Sequence, residues 1–322
     1  MNSTVSLQAR VEEYLAERRR LGYQLRTSAN VLRRFARYVD QHALTGPLTI
    51  DVMSAWARQA KTHNDDPATW ARRLLGLGPF SAWLQQFEPA TERPDSTVFG
   101  SVTRRPAPHI FTEQELIDLL SAARRLAPDL RGATYEALFG LLAGTGLRIG
   151  EALNLKQADV DLRGAVLTVR QTKFGKSRYV PLHLTVRDAL RDYRQQRDLH
   201  MTPSQQSPFF ITTRGRLLGC AMSPRQVDRV FAQLRERLGW TNRGSHAAIR
   251  VHDLRHTFIV RRLVLWQTQG VDIDQAMLAL STYVGHARVS NTYWYLSGVP
   301  ELLGLAGARF EPLSATKEID DV

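Results

Sequence analysis

The chain has 322 residues, more than one hydrophobic core usually holds, so two domains are expected. Its composition, 43% hydrophobic and 23% charged, is ordinary for a folded protein and argues against a disordered chain. The sequence has no apolar run of the roughly 18 residues that span a bilayer. It also has no secretory signal and only one cysteine, which excludes an intramolecular disulfide, so we expect a cytoplasmic protein with no membrane attachment.

The charge of the chain is its most informative bulk property. Forty-three lysines and arginines against 31 aspartates and glutamates give a net charge of +12. Only five of the basic residues are lysines, so 38 are arginines, whose planar guanidinium groups bind phosphate oxygens in pairs. A basic, arginine-rich chain of this size predicts a nucleic-acid-binding protein. The alternative is a GC-rich genome that favours arginine codons.

A linker is predicted over residues 89–109. This stretch contains four prolines, which remove backbone donors and bias the preceding residues toward extended conformations. It separates a first domain, residues 1–88, from a second, residues 110–322. Residues 1–109 carry 15 basic and 10 acidic groups, a net charge of +5, and residues 110–322 carry 28 and 21, a net charge of +7. Both domains are therefore expected to bind one polyanion.

The first domain is predicted to be all helical. Apolar residues recur at helical spacing around Leu15 and Phe35, Thr49 can cap a third helix, and a fourth begins near Pro67. The run Gly76-Leu77-Gly78-Pro79 is expected to break that helix before the apolar pattern continues. Arginines on the polar faces are expected to contact DNA, unless these faces are simply solvated: Arg33, Arg34, Arg37, Arg72 and Arg73.

The second domain is predicted to be mostly helical around one small antiparallel sheet. A capping box at Thr112-x-x-Glu115 starts a buried helix that is predicted to run to Leu142, where Gly144-Thr145-Gly146 interrupts the pattern. The apolar period changes to two within residues 165–182, which predicts a β-hairpin. The remaining helices are predicted to start at Thr185 and at Ser223, with helix continuing to about Ala308.

Two polar residues stand out in the first half of this domain. Arg148 follows the glycine-rich turn, where Glu151 can orient it, and a buried structural pair is the alternative. Lys173 ends the first hairpin strand, and a mobile hairpin tip can deliver a proton into a cleft. Otherwise a lysine at such a tip is simply exposed.

Histidines and a tyrosine stand out in the second half. On a helix, His252, Arg255 and His256 lie on one face. The two histidines permit a metal site, but zinc needs a third ligand and the arginine between them repels a cation. Further on, His286 precedes Tyr295. A tyrosine near cations and histidines can act as a nucleophile, because the cations stabilise phenolate and a histidine takes the proton, whereas other exposed tyrosines pack at interfaces.

Together these clusters resemble the catalytic domain of the tyrosine recombinase (phage integrase) family, in which Arg, Lys, His-x-x-Arg, His and Tyr follow in this order. The matching positions are Arg148, Lys173, His252, Arg255, His286 and Tyr295. The residues around these positions also resemble the family's motifs. They read Thr-Gly-Leu-Arg-Ile-Gly-Glu, His-Asp-Leu-Arg-His, and Gly-His with the histidine nine residues before the tyrosine. Thr-Tyr-Trp-Tyr-Leu looks most like recombinases of transposons and integrative elements. Three features depart from the family pattern: residues 266–281 are long, Tyr293 lies close to the expected nucleophile, and the break at Gly76–Pro79 is unusual for the last helix of the first domain.

The resemblance implies a mainly α fold, with a helical N-terminal core-binding domain and a mixed, mostly helical catalytic domain that contains a small antiparallel β-sheet. It implies a site-specific recombinase that cleaves and rejoins DNA through a 3′-phosphotyrosine, with no metal, cofactor or ATP. The two arginines would clamp the non-bridging oxygens of the phosphate. His252 would assist proton transfer at the tyrosine, Lys173 would protonate the leaving 5′-oxygen, and His286 would bind the phosphate or support the pocket.

The implied partner is double-stranded DNA with specific recombination sites, enclosed by the two domains and bound by a dimer on one site and a tetramer on paired sites. Accessory DNA-bending proteins or a partner recombinase are also expected. Arg225 and Arg229 begin a helix expected to enter the major groove. The segment after Tyr295 docks on a neighbouring protomer or packs in cis. Two rival functions stay open, a DNA-binding regulator without chemistry and a type IB topoisomerase.

Overall fold

The chain folds into two compact units, Met1–Arg104 and Arg105–Val322, and the division falls inside the predicted linker. The structure, a computed structural model, describes residues 5–23, 25–59, 67–100, 105–170 and 177–298. Lys173, the hairpin turn around it and the segment after residue 298 therefore lie outside the described residues. The first half of the predicted linker is part of the first unit, where the backbone N–H of Glu92 donates to the Leu48 carbonyl at 2.8 Å.

The first unit is helical, as its apolar spacing predicts. Its described helices are α1 (Leu7–Arg20), α2 (Arg26–Gln41), α3 (Ile50–Arg58), α4 (Pro67–Leu75) and α5 (Gly78–Leu84). Thr49 caps α3 through a hydrogen bond from the Val52 N–H, as expected. The predicted break also occurs, because α4 ends just before Gly76 and α5 starts at Gly78 with Pro79 in its first turn.

An aromatic cluster fixes the core of this unit. Tyr14 of α1 packs edge-on against Phe80 and Trp83 of α5, with ring centroids 5.5 Å away in each case. The indole N–H of Trp83 also donates to Glu17 at 2.8 Å. These buried aromatic rings hold α1 against α5.

The second unit is mostly helical and holds a three-stranded antiparallel sheet in the order β1-β2-β3, which confirms the predicted fold class. Its elements are α6 (Glu113–Arg124), α7 (Asp129–Thr145), α8 (Ile149–Leu153), β1 (Val160–Asp161), β2 (Val166–Val169), β3 (Arg178–Pro181), α9 (Leu184–Asp198), α10 (Pro224–Leu238), α11 (His252–Thr268), α12 (Ile273–Val284) and α13 (Ser290–Gly298). Among the described residues, no helix is both long and apolar enough to cross a membrane.

Several predicted boundaries in this unit are wrong. The helix predicted from Thr112 to Leu142 is two helices, because Pro128 lacks a backbone N–H and ends helical bonding before α7, and α7 itself continues to Thr145. Helix α9 starts one residue before Thr185. Residues 239–251 form a loop instead of the predicted continuous helix.

The sheet also differs from the predicted hairpin. It gains the strand β1, which has only two residues and so leaves no period-two pattern to read. The hairpin pair itself is present, with Val166 opposite Pro181 and Val169 opposite Arg178. The capping box at Thr112 and the cap at Ser223 are confirmed.

Helix α7 is the centre of the second unit, and it positions the site. Its side chains are buried almost throughout, and α6, α9 and α11 pack around it. It ends at Gly146, whose φ of +63° is the left-handed conformation that glycine adopts at helix ends. A Cβ at Gly146 would lie 2.6 Å from a ring carbon of Phe258 on α11, so only glycine allows these two helices to approach this closely.

Candidate active site

A cleft of about 330 Å³ in the second unit collects most of the polar residues that the sequence singled out. Its lining consists of Arg105, Pro106, Arg148, His246, Arg250, His252, Arg255, His256, His286, Asn291, Trp294 and Tyr295. Five of the six expected catalytic residues are among them, and the sixth, Lys173, lies outside the described residues. The cleft therefore joins side chains as far apart in the sequence as Arg105 and Tyr295.

Arg148 is fixed by a turn, an acid and a distant carbonyl. It is the N-cap residue of α8, directly after the glycine-ended α7. Its guanidinium donates to a carboxylate oxygen of Glu151 at 2.9 Å and to the carbonyl of Gly285 at 2.9 Å. Gly285 itself has a φ of +71°, and a Cβ there would meet the guanidinium of Arg178 at 2.6 Å. The arginine is thus held from two sides while it remains part-exposed to the cleft.

A second arginine, Arg178 of β3, supports this arrangement from behind. It donates to Glu151 at 2.9 Å and, through Nε, to the carbonyl of Tyr283 at 2.9 Å. Burial alone would raise the pKa of the Glu151 carboxyl, but the hydrogen bonds and charges of Arg178 and Arg148 lower it below its usual value. The carboxylate therefore stays ionised between two guanidinium groups and orients both. The sequence singled out Glu151 as the partner of Arg148 but gave no signal for Arg178.

Arg255 is the deeply buried cation of the cleft. It is 2% exposed, and its Nη1 donates to the carbonyl of Gly146 at 2.6 Å. Its Nη2 is buried without a hydrogen-bond partner among the described residues. Desolvation and the charge of Arg148 lower its pKa to about 9. A buried guanidinium with an unpartnered N–H group is costly unless an anion binds there, so this residue favours a negatively charged ligand.

Tyr295 lies on α13 with its hydroxyl inside the cleft. It is 3% exposed, and its oxygen is 2.7 Å from Nδ1 of His256. Burial raises the pKa of Tyr295 to about 12, although the charges of Arg255, Arg105 and Arg148 oppose this shift. The buried phenol is therefore neutral at physiological pH. Tyr293, by contrast, is exposed and donates to Asp274 at 3.0 Å, and it is not part of the cleft lining.

Three histidines surround the phenol and are neutral. Desolvation, with neighbouring positive groups, lowers the pKa of His256 to about 2 and of His286 to about 3. His252 has an exposed edge, yet its ring is crowded by protein atoms, and desolvation with Arg255 and Arg250 lowers its pKa to about 4. His286 accepts from or donates to Thr292 at 2.7 Å and stacks parallel to the Tyr295 ring at 6.5 Å.

His256 is the histidine that contacts the tyrosine hydroxyl, a position that the sequence motif suggested for His252. The sequence assigned proton transfer at the tyrosine to His252, and it weighed His256 only as half of a metal pair. In the structure the imidazole within hydrogen-bonding distance of Tyr295 is that of His256, while His252 packs edge-on against it at 4.8 Å. Among the described residues, no third histidine, cysteine or carboxylate completes a metal site there. The sequence did contain a sign that His256 lies at the site, because it comes one helical turn after His252 and on the same face as Arg255.

The residues expected to contact DNA divide into two groups. Arg34, Arg37, Arg72, Arg225 and Arg229 are exposed. The other two are engaged within the first unit. Arg33 forms a two-pronged ion pair with Glu12, with distances of 2.6 and 2.9 Å. Arg73 donates to the Trp56 carbonyl at 3.0 Å and stacks on its indole at 4.4 Å.

The comparisons with known proteins identify one family. The family model of the phage integrase family matches residues 109–299. The integrase/recombinase y4rB of Sinorhizobium fredii is 38% identical over 94% of this chain and 96% of its own length. The tyrosine recombinase XerC of Rhizobium meliloti is 28% identical over 88% of this chain and 89% of its own length.

Solved structures share the fold at lower identity. The integrase of the transposon Tn1549, solved with transposon right end DNA, has a TM-score of 0.67 at 19% identity and covers 96% of this chain and 100% of that one. The lambda integrase dimer bound to a core site has a TM-score of 0.63 at 17% identity, covering 89% of this chain and 77% of that one. With the family model and the y4rB match, the chain belongs to the phage integrase family and is a site-specific tyrosine recombinase.

Proposed function

We propose that the chain cleaves and rejoins duplex DNA at specific sites through a covalent 3′-phosphotyrosine at Tyr295. The observation that carries the proposal is one cleft that holds a buried tyrosine hydroxyl next to a neutral histidine, together with Arg148 and Arg255. Among the described residues, Arg255 has an N–H group without a partner. A phosphodiester carries the single negative charge that such a site lacks. The names of the proteins similar to this chain refer to integrases and recombinases, and they support the same reaction class.

The arginines bind the phosphate in this proposal. In-line displacement at phosphorus concentrates charge on the non-bridging oxygens, and fixed cations stabilise that charge without reorganisation. Arg255 presents its unpartnered N–H, and Arg148 is held in place by Glu151 and the Gly285 carbonyl. Because guanidinium groups supply the charge, the proposed reaction uses no metal ion. The phosphotyrosine bond conserves the energy of the broken phosphodiester, so rejoining uses no ATP.

The tyrosine is the nucleophile, and His256 takes its proton. The Tyr295 oxygen forms a bond to phosphorus, the bond from phosphorus to the 5′-oxygen breaks, and the phenolic proton passes to Nδ1 of His256. Burial is the main cause of the low pKa of His256, and positive neighbours lower it further, so a phosphate anion in the cleft would offset those charges and raise this pKa. Lys173 remains our proposed donor of the proton to the leaving 5′-oxygen, and rejoining is the reverse sequence.

DNA binding is proposed to use the exposed arginines of both units. In this proposal Arg225 and Arg229, exposed at the start of α10, enter the major groove, and the exposed Arg34, Arg37 and Arg72 contact phosphates. Binding to duplex DNA should therefore weaken steeply with salt. We further propose a dimer on one site and a tetramer on paired sites, as recombination of two duplexes requires four cleavages. Accessory DNA-bending proteins, and docking of the C-terminal segment on a neighbour, remain proposals of the same kind.

The experiment begins with a pool of random-sequence duplexes incubated with the full chain. DNA that stays attached to protein after denaturation is sequenced, and the recovered sequence is built into a nicked suicide duplex. Wild-type chain should form an adduct through a 3′-phosphate, and Tyr295→Phe should bind this duplex normally but form none. Tyr293→Phe is the matched control and should form adduct at the wild-type rate.

The outcomes separate the proposal from its rivals. Binding without any adduct by the wild-type chain would indicate a DNA-binding regulator. Relaxation of supercoiled DNA without sequence preference or strand exchange would indicate a type IB topoisomerase. An adduct that persists in Tyr295→Phe would contradict the assignment of the nucleophile.

A further inference from the structure

The short segment before α6, residues 105–111, is held firmly against the loop of residues 239–251. The backbone N–H of Ser245 donates to the Ala107 carbonyl at 2.8 Å. A Cβ at Gly244 would lie 2.6 Å from the backbone nitrogen of His109 and 2.8 Å from the carbonyl carbon of Pro108. Only glycine therefore lets the loop approach the segment this closely.

An ion network reinforces this contact. Arg243 of the loop donates to both oxygens of Glu115, at 2.8 and 2.6 Å, and to the carbonyl of Ile110 at 2.8 Å. The ring of His109 is buried beside them, 3.3 Å from Glu115. These contacts fix the path of residues 107–110, so the residues immediately before them enter the cleft at a defined place.

Arg105 begins this segment, and its side chain lines the cleft. Its Nη2 donates to Oδ1 of Asn291 at 2.7 Å, and its guanidinium lies 5.8 Å from the ring centroid of Trp294. Both partners belong to α13, the helix that carries Tyr295. Arginine has five N–H donors, and the bond to Asn291 uses one of them.

The positive charge of Arg105 is not balanced as the charges of Arg148 and Arg250 are. Arg148 has Glu151 as a partner, and Arg250 has Asp253 at 2.6 Å. Among the residues that the structure describes, Arg105 has a neutral amide as its partner and no carboxylate within ion-pair distance. Its positive charge acts on the nucleophile, since it opposes the rise in the pKa of Tyr295 more strongly than Arg148 does.

We propose that Arg105 is a third phosphate-binding arginine of the active site, which contacts the phosphodiester beside Tyr295 while Asn291 holds its guanidinium. This proposal rests on the recombination reaction proposed above. It assigns substrate contact to a residue that the sequence places in a linker, outside the order of residues by which the family is recognised. An arginine that is uncompensated by any acid, lines the cleft and touches the nucleophile helix is suited to neutralise the charge of the reacting phosphate.

The test compares Arg105→Ala, Arg105→Lys and Asn291→Ala with the wild-type chain on the nicked suicide duplex described above. Arg105→Ala should slow adduct formation by on the order of 100-fold at saturating protein, as expected for a lost donor to the reacting phosphate. Arg105→Lys should recover part of that rate because it keeps the charge. Asn291→Ala should produce a smaller loss. Arg163→Ala, which removes an exposed arginine between β1 and β2, is the matched control and should leave the rate unchanged.

A second substrate distinguishes phosphate contact from a merely structural role. A duplex with an uncharged methylphosphonate at the scissile position has no charge for Arg105 to neutralise. The rate difference between the wild-type chain and Arg105→Ala should therefore shrink severalfold or more on this duplex. An equal loss on both duplexes, or a wild-type rate for Arg105→Ala on the ordinary duplex, would overturn the inference.

The experiment also distinguishes a failure of the Arg105 proposal from a failure of the proposed function. If the wild-type chain forms no adduct, the recombination proposal fails before Arg105 is considered. If the wild-type chain forms the adduct and Arg105→Ala matches it, only the role of Arg105 fails. Thermal unfolding of each variant shows whether it is folded, and Arg105→Lys and Asn291→Ala decide the question if Arg105→Ala is not.

Discussion

In the first unit, Arg33 lies against Glu12 and Arg73 lies on Trp56, whereas in the second unit Arg148 and Arg255 line one cleft. Arg148 also has a carboxylate and a carbonyl partner, so the contrast between the units lies at Arg255. In the first unit these arginines find carboxylate, carbonyl and aromatic partners within the fold. In the second unit Arg255 is buried with an N–H group that finds none among the described residues. A high arginine content therefore predicts affinity for nucleic acid, while the contacts of each arginine distinguish those that support the fold from Arg255, which we propose binds the phosphate.

The largest expected effect on cleavage rate comes from replacing Arg255. Arg255→Ala should slow adduct formation by about 100- to 1,000-fold, because it removes a preorganised donor to the reacting phosphate. Arg229→Ala, on the exposed face of α10, should instead leave the rate at saturating protein unchanged. It should weaken binding and reduce the salt dependence of the binding constant by about one unit of slope. Similar losses of cleavage rate in both variants would contradict the distinction.

The next effect sharpens the role of His256. Its Nδ1 contacts the tyrosine hydroxyl, and asparagine can present a hydrogen-bonding group at a similar place without acting as a base. His256→Asn should therefore slow cleavage by roughly 100-fold while DNA binding is retained, in line with the loss of a general base. His252→Asn is the matched control and should have the smaller effect. The opposite ranking would return the base role to His252.

The same variant carries a pH signature. The pKa of His256 is about 2 in the folded chain against a usual 6.5, so below pH 6.5 the unfolded chain binds a proton that the folded chain does not. Stability should therefore fall as the pH decreases, by about 2 kcal/mol for this one group at pH 5. Denaturant unfolding at pH 7 and pH 5 measures this, and His256→Asn should show a shallower decline.

The smallest effects separate two adjacent arginines of α4. Arg73→Ala should lower the free energy of unfolding of the first unit by about 1–2 kcal/mol, because it removes both a hydrogen bond to Trp56 and the stacking on its ring. Arg72→Ala, at an exposed position, should leave stability unchanged and weaken DNA binding slightly. Denaturant titration and binding assays at two salt concentrations check both expectations.

Much of the fold could be read from local patterns. The helical spacing in α1 and α2, the caps at Thr49, Thr112 and Ser223, and the break before Gly78 are all properties of short segments, and the structure has them as predicted. The failures have equally local reasons. The apolar pattern continues through Pro128, although the helix is divided there, and β1 is too short to show a period.

The sequence by itself determined the mainly helical class and the order of the reactive residues that marks the family, and it predicted two domains. Only the tertiary structure decided which imidazole meets Tyr295, which arginines already have partners, and that Arg105 lies in the cleft. Local spacing defines the face of one helix, but contacts such as that between Arg148 and the Gly285 carbonyl join residues 137 positions apart. Such contacts depend on how whole elements pack, and packing is a property of the folded chain as a whole.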